Sequence, residues 1–314
     1  MDSSDLYHVK QQFFLGAYKT LADLTLPDPN SLDYAHTLLY KARALIALGQ
    51  TQAALQLLSG APESVSVKAA SSLARYTGAA TSDTTTKESA LEELRDLSVE
   101  IEGDDVEGDE RDKAFVKVLA GTAFAHAGEI EEALETLGTD TEDLEAVAVI
   151  VQIYVSINRP DLAKKQFERS KRWAEDDLLL QLIESVIGLA TGRDGYSNPS
   201  SFYTEQLANP SLSSPHILTS RGVTRILRNE FQEAKSDLEE SLEQQKDDAE
   251  SMAAYVVAGS LGAVKKPEAE ELWSRMSSKH SDHPFVQDVA QKADIFDQAV
   301  AKFTVPPLAN SATA

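Results

Sequence analysis

The side chains best suited to chemistry are too scattered in this chain to act together. Six histidines, His8, His36, His126, His216, His280 and His283, fall mostly in different segments, and only His280 and His283 stand close, with Asp282 between them. An H-x-x-H pair can supply two metal ligands, but a site needs more, and Pro284 starts a helix directly after this one. A capping or surface role is therefore expected. Adjacent carboxylates such as Glu131 with Glu132, or Glu239 with Glu240, sit on polar helix faces beside Lys or Arg and need no proton-transfer role. The absence of cysteine removes disulfides, thiolate metal sites and cysteine nucleophiles. No G-x-x-x-x-G-K loop, G-x-S-x-G elbow or G-x-G-x-x-G after a strand occurs. No cofactor and no metal are expected, and no enzymatic activity.

Charge narrows the partners. A formal net charge of -22 argues against nucleic acid, whose affinity comes from clustered Lys and Arg, and against direct docking on anionic lipid. No window of about 18 residues stays apolar, and the start, MDSSDLYHVK, lacks a basic segment followed by an apolar run, so a soluble chain that neither spans a membrane nor is secreted is expected. Between Asp83 and Asp112 there are 13 acidic and 3 basic residues, which reads as a solvated helix face and loop. The basic cluster Lys164, Lys165, Arg169, Lys171 and Arg172 lies among Glu168, Glu175, Asp176 and Asp177 and reads as salt-bridged helix surface.

What remains is the framework. In LAGTAFAHAGEIEEALETL, Leu119 to Leu137, small residues at Gly121 and Ala133 let two antiparallel helices cross closely, Phe124 and Leu137 fill the space beside the crossing, and Gly128 supplies the turn. That is the logic of a tetratricopeptide unit, which buries its apolar face only against neighbours. The pattern recurs from Gly49 to Ala54, Asn158 to Ala163, Asn229 to Ala234 and Gly262 to Ala269, and more weakly from Gly16 to Leu21, at Ala90, and from Gly192 to Ser201. These second-helix positions are roughly 30 to 43 residues apart, against about 34 for the repeat.

The expected architecture is all-α: one domain over residues 1–303, a right-handed superhelical solenoid of tetratricopeptide-like helix pairs. Irregular polar and acidic loops are expected near 77–87 and 102–112, and a disordered tail over 304–314. A terminal helix beginning at Pro284 carries Phe285, Val289, Ala293, Phe296, Val300 and Phe303 on one face and is expected to cap the last repeat. First helices line the concave side of such a solenoid. The candidate partner groove comprises Phe115, Val118, Thr122, Gln152, Val155, Val223 and Ile226, apolar enough to suit a large, permanent partner surface.

Three stretches carry a family resemblance: LYHVKQQFFLGAYKTLADL at Leu6 to Leu24; VQIYVSINRPDLAKKQFERSKRWAEDD at Val151 to Asp177, followed by LATG at Leu189 to Gly192; and HSDHPFVQDVAQKADIFDQAVAKF at His280 to Phe303, with His283, Pro284, Phe285, Phe296 and Asp297. Together they resemble the coatomer epsilon subunit family, part of the coat of vesicles moving from Golgi to endoplasmic reticulum and within the Golgi. The resemblance implies a non-catalytic subunit whose superhelix wraps the C-terminal part of the alpha subunit in a hetero-oligomer. It also implies a cytoplasmic protein that is peripheral on Golgi membranes, recruited through that partner by a small GTPase of the Arf class. The acidic stretch from Thr81 to Asp112 is longer and more charged than the family pattern. Among other classes, a co-chaperone gripping an acidic tail needs Lys, Asn and Arg at fixed first-helix positions that are apolar or small here. A scaffold of another assembly and an enzyme on a helical superhelix are the remaining alternatives.

Overall fold

The computed structural model describes residues 3–103, 110–262 and 266–304, and these contain helices and no strand. Eight pairs follow one another: α1 (Ser4–Phe14) with α2 (Tyr18–Asp23), α3 (Tyr34–Ala47) with α4 (Thr51–Ser59), α5 (Val65–Gly78) with α6 (Thr84–Glu100), α7 (Glu110–Ala127) with α8 (Ile130–Leu137), α9 (Leu144–Ser156) with α10 (Pro160–Ser170), α11 (Leu178–Thr191) with α12 (Ser197–Leu207), α13 (Pro215–Leu227) with α14 (Phe231–Gln244), and α15 (Ala249–Leu261) with α16 (Lys266–Lys279). A 3₁₀ turn, Arg193–Tyr196, leads into α12, and α17 (Pro284–Lys302) ends the described chain.

Local chemistry sets the boundaries. Side chains of Ser3, Ser64, Asp143, Asp177, Ser214 and Asp248 each accept a hydrogen bond from a first-turn amide of the following helix, satisfying donors that have no partner within it. Within pairs the chain reverses through a left-handed residue: φ is +72° at Gly49 and +83° at Gly128, and Asn158 and Asn229 take the same conformation at +58° and +64°. Five residues later Ala54, Ala133, Ala163 and Ala234 are fully buried at the helix crossing; Ala269, seven residues after Gly262, is 6% exposed. The partner position is equally tight. A Cβ on Gly121 would lie 2.5 Å from Cγ of Leu137, and one on Gly222 would lie 2.8 Å from Cγ of Leu238.

Successive first helices pack side by side, α1 on α3 and onward through α5, α7, α9 and α11, burying one apolar core from Leu6 to Ile153. The solenoid then meets its own beginning. Leu15, fully buried, packs with Phe202, Tyr203, Leu212 and Ile217; Ser214 Oγ donates to the Leu15 carbonyl at 2.6 Å; and Gly16 lies so close to His216 that a Cβ there would be 2.5 Å from the imidazole side chain. The first pair thus shuts the inner surface of the solenoid into a ring.

Several expected features differ. The loop placed at 77–87 is only residues 79–83, because Thr77 and Gly78 complete α5 and Asp83 accepts from the Thr86 amide to start α6 on the threonine run. Of the loop placed at 102–112, residues 110–112 begin α7 and 104–109 lie outside the described residues, as do 305–314 of the expected tail. Ser201 is exposed; the sixth pair crosses instead where Gly188 meets the Gly195 carbonyl and Pro199, which is itself inside α12. The terminal helix forms, with His283 Nδ1 accepting from the Phe285 amide, but it covers the last repeat only with its first turn. Val286 is buried and Phe285 meets Trp273 edge-on at 5.7 Å, whereas Phe296 and Phe303, expected over the core, are 67% and 71% exposed. Their stripe points away from the body because α17 leaves it.

Candidate partner-binding cavity

The ring encloses a cavity of about 660 Å³. Every first helix from α1 to α13 contributes to its wall, which follows from how the pairs stack with first helices inward; Tyr18 of α2 and Tyr203 of α12 reach it from second helices. Phe13, Phe14, Tyr18, Ile46, Ala148, Val149, Leu182, Val186 and Leu189 make most of the surface apolar. α11 supplies two faces at once. Leu180 and Ile187 are buried in the core, Leu179 and Ile183 are buried at its boundary with the cavity, and Leu182, Val186 and Leu189 stay half-buried and open to the cavity.

One charged group is built into this wall. The Arg43 guanidinium on α3 bonds Glu145 Oε2 on α9 at 2.6 Å and lies 4.3 Å from the Phe13 ring centre, 5.0 Å from Phe115 and 5.3 Å from Tyr40. The Tyr40 hydroxyl bonds the same carboxylate. Arg43 is thereby neutralised by a paired acid and covered by three aromatic faces, an arrangement that joins the second pair to the fifth. Burial, reinforced by Glu145, raises the Tyr40 hydroxyl well above its ordinary range. Beside it Asp143 caps α9 by accepting from the Glu145 amide at 3.0 Å, and burial, then the Glu145 charge, push its carboxyl up to about 6. His216 shows its ring to the cavity, yet protein surrounds it, and that enclosure lowers its pKa. Ser220 also faces inward, but its hydroxyl donates to the His216 main-chain carbonyl at 2.9 Å, so the two are not held as nucleophile and base. The cavity is suited to bury an apolar segment.

Of the groove candidates, Thr122 and Gln152 line this cavity. Phe115, Val118 and Ile226 do not: they are 7%, 2% and 9% exposed and pack between helices. Val155 and Val223 lie half-buried against the cores of their own repeats. On α7 the positions that line the cavity are Leu119, Thr122 and His126, a face rotated from that of Phe115 and Val118. Missed were Phe13, Phe14 and Tyr18 from the first pair, and the α11 face. An apolar pattern running all round α11 is the signal that could have found the latter.

In the basic cluster Arg169 pairs with Asp140, in the turn after α8, rather than with the expected Glu168, Glu175, Asp176 or Asp177, and Lys164, Lys165, Lys171 and Arg172 are exposed; outside the cluster Arg159 bonds Asp161 at 2.7 Å. His283 Nε2 faces Glu250 at 3.2 Å. Among the described residues no group of His, Asp and Glu is placed to hold a metal, and no helix is long and apolar enough to cross a membrane.

Comparison with known proteins accords with the helical repeats. Residues 2–304 match the family profile described as coatomer epsilon subunit. The chain is 28% identical to coatomer subunit epsilon-1 of Arabidopsis thaliana over 300 residues, covering 95% of this chain and 97% of the relative. It is 25% identical to a probable coatomer subunit epsilon of Schizosaccharomyces pombe, covering 94% of each. A Caenorhabditis elegans coatomer subunit epsilon is 23% identical over 94% of this chain and 97% of its own. Among solved structures, the Cut9–Hcn1 hetero-tetramer of the APC/C superposes on 93% of this chain and 56% of its own with a TM-score of 0.60 at 14% identity. A tetratricopeptide repeat protein of Parabacteroides merdae gives 0.52 over 80% of this chain and 97% of its own at 12% identity. These two likenesses bear on fold alone.

Proposed function

This chain belongs to the coatomer epsilon subunit family, and we propose that its ring cavity is the seat of the C-terminal part of the coatomer alpha subunit. As a coatomer subunit it is part of a cytoplasmic coat associated with Golgi vesicles. Its proposed work there is structural and non-catalytic, in Golgi-to-endoplasmic-reticulum and intra-Golgi transport, with the membrane reached through the alpha subunit and an Arf-class GTPase. The observation that supports this reading is the apolar cavity walled by every first helix from α1 to α13. A partner segment buried there gains about 25 cal/mol for each Å² of apolar surface removed from water, independent of charge. A clamp for an acidic peptide tail would instead need inward Lys and Asn, whereas Leu182, Val186 and Val149 occupy this wall.

The test is purification of the tagged full chain from cells at near-physiological and then high salt, with and without Leu182→Glu. Alpha subunit is expected with the unaltered chain at both salt concentrations, because apolar burial is little screened. It is expected to be lost with L182E, whose carboxylate the partner would have to bury unpaired at a cost of several kcal/mol. A correctly folded L182E chain that still holds the alpha subunit would reject the cavity as its seat.

A further inference from the structure

Beyond the first turn of α17 every residue from Gln287 to Thr304 is exposed. On this free length Val289, Ala293, Phe296, Val300 and Phe303 recur at steps of four, three, four and three, the spacing of a two-helix seam. They leave on the order of 500 Å² of apolar surface in water, at the upper range for the largest patch on a monomer. Ala290 and Ala299 flank the seam and leave room for a second backbone. Lys292, which pairs with Asp288 on the free helix, and Asp297 flank it with opposite charge. A lone helix of this length is marginal in water, so its stability depends on what covers the seam.

We propose that the seam docks an amphipathic helix of the same partner that the ring holds, so that the partner is gripped at two points; this rests on the reading of the cavity given above. A second copy of the chain fits poorly. Two seams would bury about 1,000 Å² in total, the lower edge for a stable interface, and would bring together two bodies each carrying a net charge of -22. A helix tethered to a segment already in the ring has no such difficulty. Its docking becomes intramolecular at an effective concentration near millimolar, where a small seam suffices. Its chemistry is set by α17: apolar residues at the heptad a and d positions, an acidic residue opposite Lys292 and a basic one opposite Asp297.

The experiment places a photo-crosslinking amino acid at position 296 and, separately, at 303 of the tagged full chain, and irradiates the coatomer assembled in cells. Crosslinks from both positions to the alpha subunit are expected, and Phe296→Glu with Phe303→Glu is expected to retain the alpha subunit at low salt while speeding its dissociation at least tenfold. A crosslink to a second copy or to another protein, or none while the alpha subunit co-purifies, overturns the seam and leaves the cavity reading intact. A chain that brings down no alpha subunit overturns both.

Discussion

Asp143 illustrates how one residue can serve the fold and weaken it. Its carboxylate caps α9, yet burial and Glu145 hold its pKa near 6. Between about pH 4 and 6 the folded chain keeps a proton that the unfolded chain has released, so stability falls as pH rises through that window and levels off above it. Asp143→Asn retains a capping oxygen and removes the charge. It should stabilise the protein by on the order of 1–3 kcal/mol above pH 6 and by nothing near pH 4. Urea unfolding of both forms across this range checks the sign, and a gain that does not vary with pH would mean that ionisation of Asp143 is not what burial opposes. Arg43 poses the opposite case. Its partner Glu145 and two of its three aromatic rings, Phe13 and Phe115, are far from it in sequence, and only Tyr40 shares its helix.

At the scale of helices, Gly121 and Gly128 are needed for unrelated reasons. Gly121 lacks room for a Cβ against Leu137, whereas Gly128 has open space around it and a φ of +83°. Gly121→Ala should therefore cost about 1–3 kcal/mol by overpacking, despite alanine's better helix propensity. Gly128→Ala should cost about 1 kcal/mol through backbone strain, and Gly128→Asn less, because Asn158 and Asn229 make the same turn elsewhere. Thermal melts of the three variants separate the two causes, and equal losses for Gly128→Ala and Gly128→Asn would refute the turn argument. These two constraints explain why the pairs were legible in the sequence: a left-handed turn and a close crossing each admit few residue types. The ends of α5 and α6 were less so, since threonine favours neither helix nor loop and the cap at Asp83 acts only once the helix exists. The inward face was harder still. Where both faces of a helix are apolar, as on α7 and α11, periodicity cannot say which one meets the core.

The ring is a property of the whole chain and left no local trace in the sequence. It depends on the superhelix returning to its first pair, where Leu15 fills a gap among Phe202, Leu212 and Ile217 and Gly16 sits against His216. Gly16→Val puts a side chain into that contact at a φ of +71° and should part the seam. The expected result is an unchanged far-UV helix signal with a larger radius of gyration by small-angle X-ray scattering. A ring of unaltered size in a folded variant would show that the closure does not rest on this contact. The net charge of -22 remains compatible with the closed shape because acids such as Glu92, Asp96 and Glu100 point outward from α6.

Closure also has a consequence in time. Neighbouring pairs form from nearby sequence and can fold as they leave the ribosome, but the bond from Ser214 to the Leu15 carbonyl joins residues 199 apart. At about 5–20 residues per second, the nascent first pair waits roughly 10–40 s for the surface that will cover Leu15. Throughout that interval an apolar side chain destined for complete burial stands open to other chains. The last contact of the ring is thus the first one at risk, and a synthesis pause or truncation before the seventh pair leaves a solenoid that is folded, helical and sticky at its N-terminal end.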